Sequence, residues 1–216
     1  MIAVAQQVQN PTASTLSVPT GTTQTVAITP SAGSTLVVLA RGEGGTNTPG
    51  AADNVNAGGY TLLNTFDDTN ANWTTFVYQN VAGSATTITV TWPTTCANRG
   101  LIVLEVTGAM TTGGASDHAQ GNNNSSGNMT TAASAAMVIG FGCTEAGSTW
   151  VAGGGFTGGT VAWAGGGDGV LPEWQRVTAA GIYAATYTGG QAGDPVYGLI
   201  LAEVASTVAA IPWVTA

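Results

Sequence analysis

Thr86-Thr87-Ile88-Thr89-Val90-Thr91-Trp92 and, after a loop, Leu101-Ile102-Val103-Leu104-Glu105-Val106 are the two runs that decide the fold class of this chain. In the first run Ile88, Val90 and Trp92 alternate with threonines, which is the period of a half-buried strand. The second run is apolar on both faces and therefore predicts a central strand with packing on each side. Together with the preceding run Asn72–Tyr78, these segments predict an antiparallel meander.

The rest of the chain has the same character. Helix signals are nearly absent, because glycine and threonine are abundant while glutamate, lysine and leucine are scarce. Many short strands separated by glycine-rich turns predict an all-β chain, folded as a two-layer antiparallel β-sandwich of jelly-roll-like type. Further strands are predicted near Leu16–Val18, Thr23–Thr29, Thr35–Arg41, Tyr60–Phe66, Trp73–Asn80, Met129–Ala133, Ala136–Cys143, Thr149–Ala152, Thr160–Trp163, Glu173–Val177, Gly181–Thr188 and Tyr197–Val204.

A weak internal repeat suggests how the sandwich is built. Gly100–Val106 recurs as Gly198–Val204, at a separation of 198 − 100 = 98 residues. We expect two repeated halves, about residues 15–108 and 128–206, that form one domain over residues 1–216, because each half alone would expose an apolar face. Two tandem small sandwiches are the alternative.

The low content of charged residues excludes some classes of function. Only 6% of the residues are charged, the net charge is -8, and Arg41, Arg99 and Arg176 are the only cations. A typical soluble protein carries about 25% charged residues. Nucleic-acid binding requires clustered lysine and arginine, so we expect no nucleic-acid partner. No signal peptide and no run of about 18 apolar residues is visible, so we expect no membrane association either.

No convincing catalytic constellation is present, and we expect neither an enzyme nor a cofactor. Glu105 and Glu203 occupy matching positions of the repeat and resemble a glycosidase pair, but strand-end acids that face solvent or a turn amide are the simpler interpretation. His118 follows Asp117, yet no second histidine is available for a metal site or a catalytic relay.

The remaining polar and glycine-rich motifs have simple structural interpretations. Gly153–Gly155 and Gly165–Gly167 lack the lysine and the helix of a phosphate-binding loop. Asp53–Asn56 and Asp67–Asn70 are rich in oxygen ligands but lack the spacing of a calcium loop, so Asx turns are favoured. Cys96 and Cys143 are expected to be unpaired, with a single disulfide as the alternative.

The aromatic side chains allow two interpretations. They could form a sugar-stacking platform on one sheet face, or they could fill the core and a subunit interface, which we favour. The residues concerned are Trp73, Trp92, Trp150, Trp163, Trp174, Trp213, Tyr60, Tyr78, Tyr183, Tyr187 and Tyr197.

Apolar residues lie near both ends of the sequence, in short arms that we expect to dock on this chain or on a neighbour. Ile2, Val4, Ile211 and Trp213 are the candidate assembly contacts. Sheet edges are normally protected by charged side chains, which this chain lacks, so its edges are expected to be covered by loops, termini or other subunits.

The motif Asp53-Asn54-x-x-x-Gly58-Gly59-Tyr60, followed by Tyr78–Thr91 and Leu104-Glu105-Val106-x-Gly108, resembles β-sandwich segments of tailed-bacteriophage virion proteins and bacterial surface proteins. The similarity continues through Ala136–Gly142 and Gly181–Thr186. Within that group the chain looks most like a head decoration, or cement, protein. The resemblance implies a homotrimer that binds the major capsid protein on the outer capsid surface of the virion, after assembly in the host cytoplasm. The alternative is a carbohydrate-binding receptor-recognition module of a tail fibre or adhesin, with a glycan as partner.

Overall fold

The structure of the chain is a computed structural model. The structure describes residues 1–10, 21–43, 48–56, 59–67, 71–84, 86–108, 117–121, 124–144, 149–162, 169–190 and 194–203. Its regular elements, throughout these ranges, are β-strands, and all their pairings are antiparallel. The predicted all-β sandwich is thereby confirmed.

Sixteen strands are formed within the described residues. In chain order they are β1 (Ala3–Asn10), β2 (Gly21–Ile28), β3 (Thr35–Glu43), β4 (Gly50–Asp53), β5 (Thr61–Asp67), β6 (Ala71–Tyr78), β7 (Thr86–Thr107), β8 (Asp117–Gly121), β9 (Met129–Thr131), β10 (Ala136–Thr144), β11 (Val151–Ala152), β12 (Thr157–Gly158), β13 (Gly169–Val177), β14 (Gly181–Tyr183), β15 (Tyr187–Thr188) and β16 (Val196–Ala202).

Strand β7 organises the first half of the chain, because its 22 residues belong to two layers. Its beginning pairs with β2 and β4, and its end pairs with β1 and β3. The main sheet of this half has the strand order β1-β7-β3-β6-β5. A strand that switches layers in this way makes a corner of a sandwich.

The second half repeats the central pairing of the first. Its main sheet has the order β12-β13-β10-β16-β8. Strand β10 lies between β13 and β16, just as β3 lies between β6 and β7. The two similar sequences, Gly100–Val106 and Gly198–Val204, thus lie largely on equivalent strands, β7 and β16. Both strands are buried in the same way, and this shared environment explains why their sequences are similar.

The two main sheets pack face to face over a central core. Ile102 and Leu104 of β7 meet residues of β10 and β16 such as Ile139 and Leu199, all of them almost fully buried. Burial of this kind stabilises the fold by about 25 cal/mol for each Å² of apolar surface removed from water. Apolar faces of the two halves are therefore buried against each other.

Each main sheet is also covered on its other face. In the first half Leu101 and Val103 point away from the central core and pack with Ile88, Val90 and Trp92 from the beginning of β7. Because the strand is covered on both sides, the sequence Leu101–Val106 is apolar on both of its faces. In the second half the pairs β9–β14 and β11–β15 cover the outer face.

Glycines on β10 make the second outer layer possible. A Cβ at Gly140 would lie 2.6 Å from Ala185 Cβ, and one at Gly142 would lie 3.1 Å from the rings of Trp150 and Tyr187. These two positions give the aromatic rings room against the sheet, and a side chain there would push the outer strands away.

Buried arginines hold the corner of β7. Asn98 has a φ of 44° within the strand, a left-handed conformation that asparagine tolerates better than most residues. The guanidinium of Arg41 donates to the Asn98 carbonyl at 3.0 Å and to Glu43 at 2.7 Å, and it lies 5.1 Å from the centre of the Trp73 ring. Arg99, also buried, donates to the Thr23 carbonyl on β2.

Three sequence predictions about strands were wrong. Strands β6 and β7 are not neighbours, because β3 lies between them, so there is no meander. The expected loop after Trp92 is a continuation of β7. The predicted strand Thr160–Trp163 is reduced to one bridge, between Ala162 and Val170, within the residues that are described there.

Other strand boundaries also differ from expectation. The predicted strand Gly181–Thr188 is divided into β14 and β15, whereas β1, β4, β8 and β12 were not predicted. The predicted strand Leu16–Val18 lies outside the described residues. Strand pairing depends on residues that are distant in sequence, so local periodicity did not reveal it.

The apolar residues at the beginning of the chain dock on the chain itself. Ile2 is 2% exposed and belongs to the central core, and Val4 packs partly against the same core. Since the Ile2 side chain is buried here, this structure offers no free surface at Ile2 for the expected assembly contact. The other two candidate contacts, Ile211 and Trp213, lie outside the described residues.

Candidate functional site

All three cations of the chain take part in structural contacts. Arg41 and Arg99 are buried at the corner of β7. Arg176 is partly exposed and pairs with Glu203 at 2.9 Å. With no lysine in the chain, the remaining surface offers no cluster of positive charge for phosphate groups.

The two matching glutamates have separate structural partners. Glu105 is buried, and its carboxylate accepts hydrogen bonds from the Gln6 side chain and the Ser31 backbone. Burial acts to raise its pKa, but hydrogen bonds from Gln6, Ser31 and Ser34 outweigh it and place the pKa below its ordinary value. The expected contact with a turn amide is thus present at Ser31.

Glu203 lies just after β16 and has mainly charged partners. It pairs with Arg176 and lies 3.4 Å from the Met1 nitrogen. Slight desolvation acts to raise its pKa, but the bond from Arg176 and neighbouring donors place it below the ordinary value. Such a carboxylate stays ionised at neutral pH and is a poor general acid.

The Asp53–Asn56 segment is a hydrogen-bonded turn. Asp53 accepts from the backbone nitrogens of Val55 and Asn56 and from the Tyr60 hydroxyl, at 2.6–2.9 Å. Asn54 accepts from the Thr87 backbone at 2.6 Å. Burial acts to raise the pKa of Asp53, but these hydrogen bonds lower it overall. The predicted Asx turn is confirmed, and its oxygens bind protein donors.

Other sequence candidates fall partly outside the described side chains. Backbone pairing places Asp117 and His118 on β8 opposite Ile200 and Leu199, but their side chains are not described, nor is that of Asp67. Residues 68–70 and the Gly165–Gly167 run also lie outside the described residues. Where side chains are described, no three His, Cys, Asp or Glu residues cluster as metal ligands do.

Cys96 and Cys143 are free and buried, as expected. Cys143 belongs to the central core and Cys96 to the outer core of the first half. Burial raises the pKa of the Cys96 thiol, although Arg99 acts to lower it. A buried thiol of raised pKa is a weak nucleophile.

Gly153–Gly155 form a turn after β11. This turn contacts a carboxylate, that of Glu173, which was not predicted as a site residue. Glu173 on β13 is fully buried, and it accepts hydrogen bonds from the backbone nitrogens of Gly153 at 2.9 Å and Thr186 at 3.0 Å. Burial raises its pKa to about 7, although the two hydrogen bonds act to lower it. A signal was available, because Glu173 interrupts the apolar run Val170-Leu171-Pro172 before Trp174.

The aromatic side chains are mostly internal. Where their side chains are described, the tryptophans and tyrosines named above are buried or partly buried, and none is fully exposed. Trp73, Trp92 and Trp150 lie in three different cores. Trp163 and Trp213 lie outside the described residues. The described sheet faces thus carry no exposed aromatic row.

The best candidate for a binding site in the described part is a groove between β1 and β2, which we call the edge groove. It consists of two adjoining cavities of about 740 Å³ and about 390 Å³. Val8, Ala27 and Thr87 line both of them. No residue that lines the groove has an ionisable side chain; the others are Gln6, Gln7, Gln9, Asn10, Thr25, Val26, Ile28, Thr29, Thr86 and Thr160.

Amide side chains of β1 shape the edge groove. Gln6 donates to the Thr29 carbonyl at 2.9 Å, and Asn10 donates to the Thr25 carbonyl at 2.6 Å. Gln7 exchanges two hydrogen bonds with the Thr160 backbone, which belongs to the second half of the chain. Strand β1 therefore links both layers of the first half to the second half.

The beginning of the chain was predicted to be a short apolar arm, and these amides were not predicted as site residues. Ile2, Val4 and Val8 share one parity of the alternation, which predicts a single apolar strand face. The structure departs from this pattern, because the register shifts between Val4 and Gln6, so that Val4 packs against the central core and Val8 against the outer core of the first half.

Comparisons of the chain with protein-family models, with the curated proteins and with the solved structures found no match. Within the described residues, no helix has the length and apolar character required to cross a membrane.

Proposed function

We propose that the chain is a structural virion protein, a capsid decoration or cement protein that binds the outside of a bacteriophage head and stabilises it. The proposal begins from the resemblance of the Asp53–Tyr60 and Tyr78–Thr91 motifs to β-sandwich segments of virion proteins. Its partner would be the major capsid protein, and its location would be the outer capsid surface.

The observation that carries this proposal is the chemistry of the edge groove. Its lining consists of amide, hydroxyl and aliphatic side chains, which do not act as general acids or bases at neutral pH. Such a surface suits contact with another protein better than catalysis.

The charge distribution supports the same role. The three arginines are engaged within the chain, while the net charge is -8. A negatively charged protein is repelled by DNA, so it would not compete with shell proteins for the packaged genome. Few exposed cations also mean few sites for trypsin-like proteases.

A homotrimer is the assembly that the resemblance implies, because decoration proteins commonly occupy local threefold axes of a head. Strands β1 and β5 end the first main sheet, and β12 and β8 end the second. Such edges are regularly covered by further strands or by neighbouring subunits. The trimer is therefore part of the proposal.

Binding to empty, undecorated heads of the bacteriophage that encodes the chain is the direct test. Light scattering first gives the mass of the isolated protein, for which we expect three chains. Saturable binding should then raise the melting temperature of the heads, because a ligand that binds only the folded state stabilises it. A protein that sediments apart from such heads at every concentration tested would overturn the proposal.

The amide-rich edge groove favours a second candidate, a carbohydrate-binding module. Glutamine, asparagine and threonine side chains hydrogen-bond sugar hydroxyls, although such sites usually also offer an exposed aromatic ring. A glycan array separates the two functions. Retention of one glycan class, lost in the variant Gln9→Ala, together with no binding to heads would support receptor recognition.

A further inference from the structure

Strands β11 and β15 form a small cover on the outer face of the second main sheet, which we call the β11–β15 pair. Its ladder consists of two residue pairs. Trp150, directly before β11, and Tyr187 of β15 have ring centres 5.1 Å apart and pack where β10 has Gly142 in place of a larger side chain. A two-stranded ladder of this length is not stable alone, so the β11–β15 pair depends on its contacts with the main sheet.

The carboxyl group of Glu173 connects the main sheet to both strands of this pair. Glu173 lies on β13, where its backbone pairs with Gly140 of β10 on one side and Gly158 of β12 on the other. One carboxyl oxygen accepts from the Gly153 amide, which directly follows β11, at 2.9 Å. The other accepts from the Thr186 amide, which directly precedes β15, at 3.0 Å. A single side chain therefore holds one end of each strand.

Two titratable side chains lie near this carboxyl group, and neither carries a positive charge. The Tyr187 hydroxyl donates to the Leu171 carbonyl at 3.0 Å, and burial together with the Glu173 carboxyl raises the pKa of this hydroxyl. The thiol of Cys143 on β10 also interacts with Tyr187. Strand β12 and the turn Gly153–Gly155 carry no titratable side chain.

The cations of the chain lie elsewhere. Arg176 belongs to β13 but is three residues from Glu173, so it points to the opposite face of the sheet. Arg41 and Arg99 are buried at the corner of β7, and His118 is on β8, which β10 and β16 separate from β13. An ionised Glu173 is thus buried without a counterion, which is costly even with two backbone donors.

We propose that Glu173 is a pH-sensitive latch. While its carboxyl group is uncharged, the β11–β15 pair stays closed on the main sheet. Ionisation favours an open state in which the pair separates from the sheet, the carboxylate reaches water, and Trp150 and Tyr187 become exposed. The central core stays intact, because only the short ladder and its contacts with the sheet are released. This inference does not depend on capsid binding.

The direction of the effect follows from the two environments of the carboxyl group. Its pKa is about 7 in the closed state, and in water it returns to its ordinary value of 4.5. The closed state is therefore favoured most at acidic pH, and opening becomes about tenfold more frequent per pH unit between these two values. At higher pH the group is ionised in both states, so the opening equilibrium levels off.

Amide hydrogen exchange from pH 5 to pH 8, expressed as protection factors, provides the test. Protection of the Gly153, Thr186 and Tyr187 amides should fall on the order of 50-fold over this range. At pH 8 it should lie at least about tenfold below the protection of the Ile139 amide on β10, which exchanges only when the central core unfolds. In Glu173→Gln, which cannot ionise, protection of the same three amides should not change with pH.

Glu203→Gln is the matched control, because the lowered pKa of Glu203 keeps its carboxylate ionised over the whole range. The fall in protection should persist in this variant. The unmodified chain gives a second check, which decides the case in which Glu173→Gln does not fold. Carbon-13 NMR of the Glu173 carboxyl reports its ionisation, and the fall in protection should level off at the pH where this group is half ionised.

Three results would overturn the proposal. The first is the same pH dependence of protection in Glu173→Gln as in the unmodified chain. The second is equal protection of the β11–β15 pair and of Ile139 at every pH, since only global unfolding would then expose the pair. The third is a fall in protection that levels off at a pH unrelated to the carboxyl titration.

Discussion

The guanidinium of Arg41 lies 3.0 Å from the backbone carbonyl oxygen of Asn98, across the corner at which β7 passes from one layer to the other. Arg41 is 1% exposed and stacks over Trp73. One of only three cations in the chain thus stabilises a backbone corner. The same corner brings Ile88 and Val90 over Leu101 and Val103, so the outer core of the first half depends on it.

Replacing Arg41 by methionine should lower the free energy of unfolding by about 2–4 kcal/mol, because in a largely buried place the Asn98 carbonyl loses the arginine donor and the Glu43 carboxylate keeps only its hydrogen bond from the Asn98 side chain. Urea denaturation measures the change. The matched control is Arg176→Met, which removes an ion pair whose arginine is 34% exposed and should cost less than about 1 kcal/mol. Equal losses in the two variants would contradict the role assigned to Arg41.

Gly140→Ala should destabilise the chain by about 1–3 kcal/mol, since the new Cβ would lie 2.6 Å from Ala185 Cβ and 2.8 Å from the Tyr187 hydroxyl. Gly154→Ala serves as the control, because nothing lies within 4 Å of a Cβ there, and it should change stability by less than about 0.5 kcal/mol. Thermal unfolding of both variants checks the difference. Two unchanged melting temperatures would contradict the close packing of Ala185 and Tyr187 against Gly140.

Stability should fall as the pH rises from about 5 to above 7, because Glu173 must ionise while fully buried. Its pKa is about 7 in the folded chain against an ordinary value of 4.5. A carboxyl group with a raised folded-state pKa favours folding below its unfolded pKa, and this stability is lost as the pH passes the folded pKa. The full loss amounts to about 3 kcal/mol.

Urea denaturation between pH 5 and pH 8 measures this effect, with Glu173→Gln as the comparison. Glutamine does not ionise, so the difference in stability between the two proteins should change with pH. Contributions from all other groups are common to both proteins and cancel in the difference. Asp53, Glu105 and Glu203 have lowered pKa values and lose stability only at more acidic pH. A constant difference would refute ionisation of Glu173 in this range.

Both cysteines should resist thiol reagents in the folded chain and react after denaturation, because Cys96 and Cys143 are buried in different cores. A colorimetric thiol assay should therefore detect almost no reactive thiol under native conditions and two in denaturant. The same result is expected with and without prior reduction. Fewer than two thiols in unreduced, denatured protein would show a disulfide.

Local patterns were enough to predict much of this fold. The alternation in Thr86–Trp92 and the doubly apolar run Leu101–Val106 depend on period two and on burial of both faces, which are properties of neighbouring residues. The Asx turn at Asp53 and the unpaired cysteines could likewise be inferred from residue types and spacing. For the same reason the repeat of Gly100–Val106 at Gly198–Val204 was visible in the sequence.

The tertiary structure decided what depends on distant residues. That β3 separates β6 from β7, that β7 turns a corner at Asn98 and that β1 borders a groove all follow from pairings across many residues, which local periodicity does not encode. The buried state of Glu173 has the same origin, because its environment is formed by Gly153 and Thr186 from two other segments. The local sequence pattern thus determined where strands form. Packing of the two faces of each strand against distant residues determined which strands pair and which sheets contact each other.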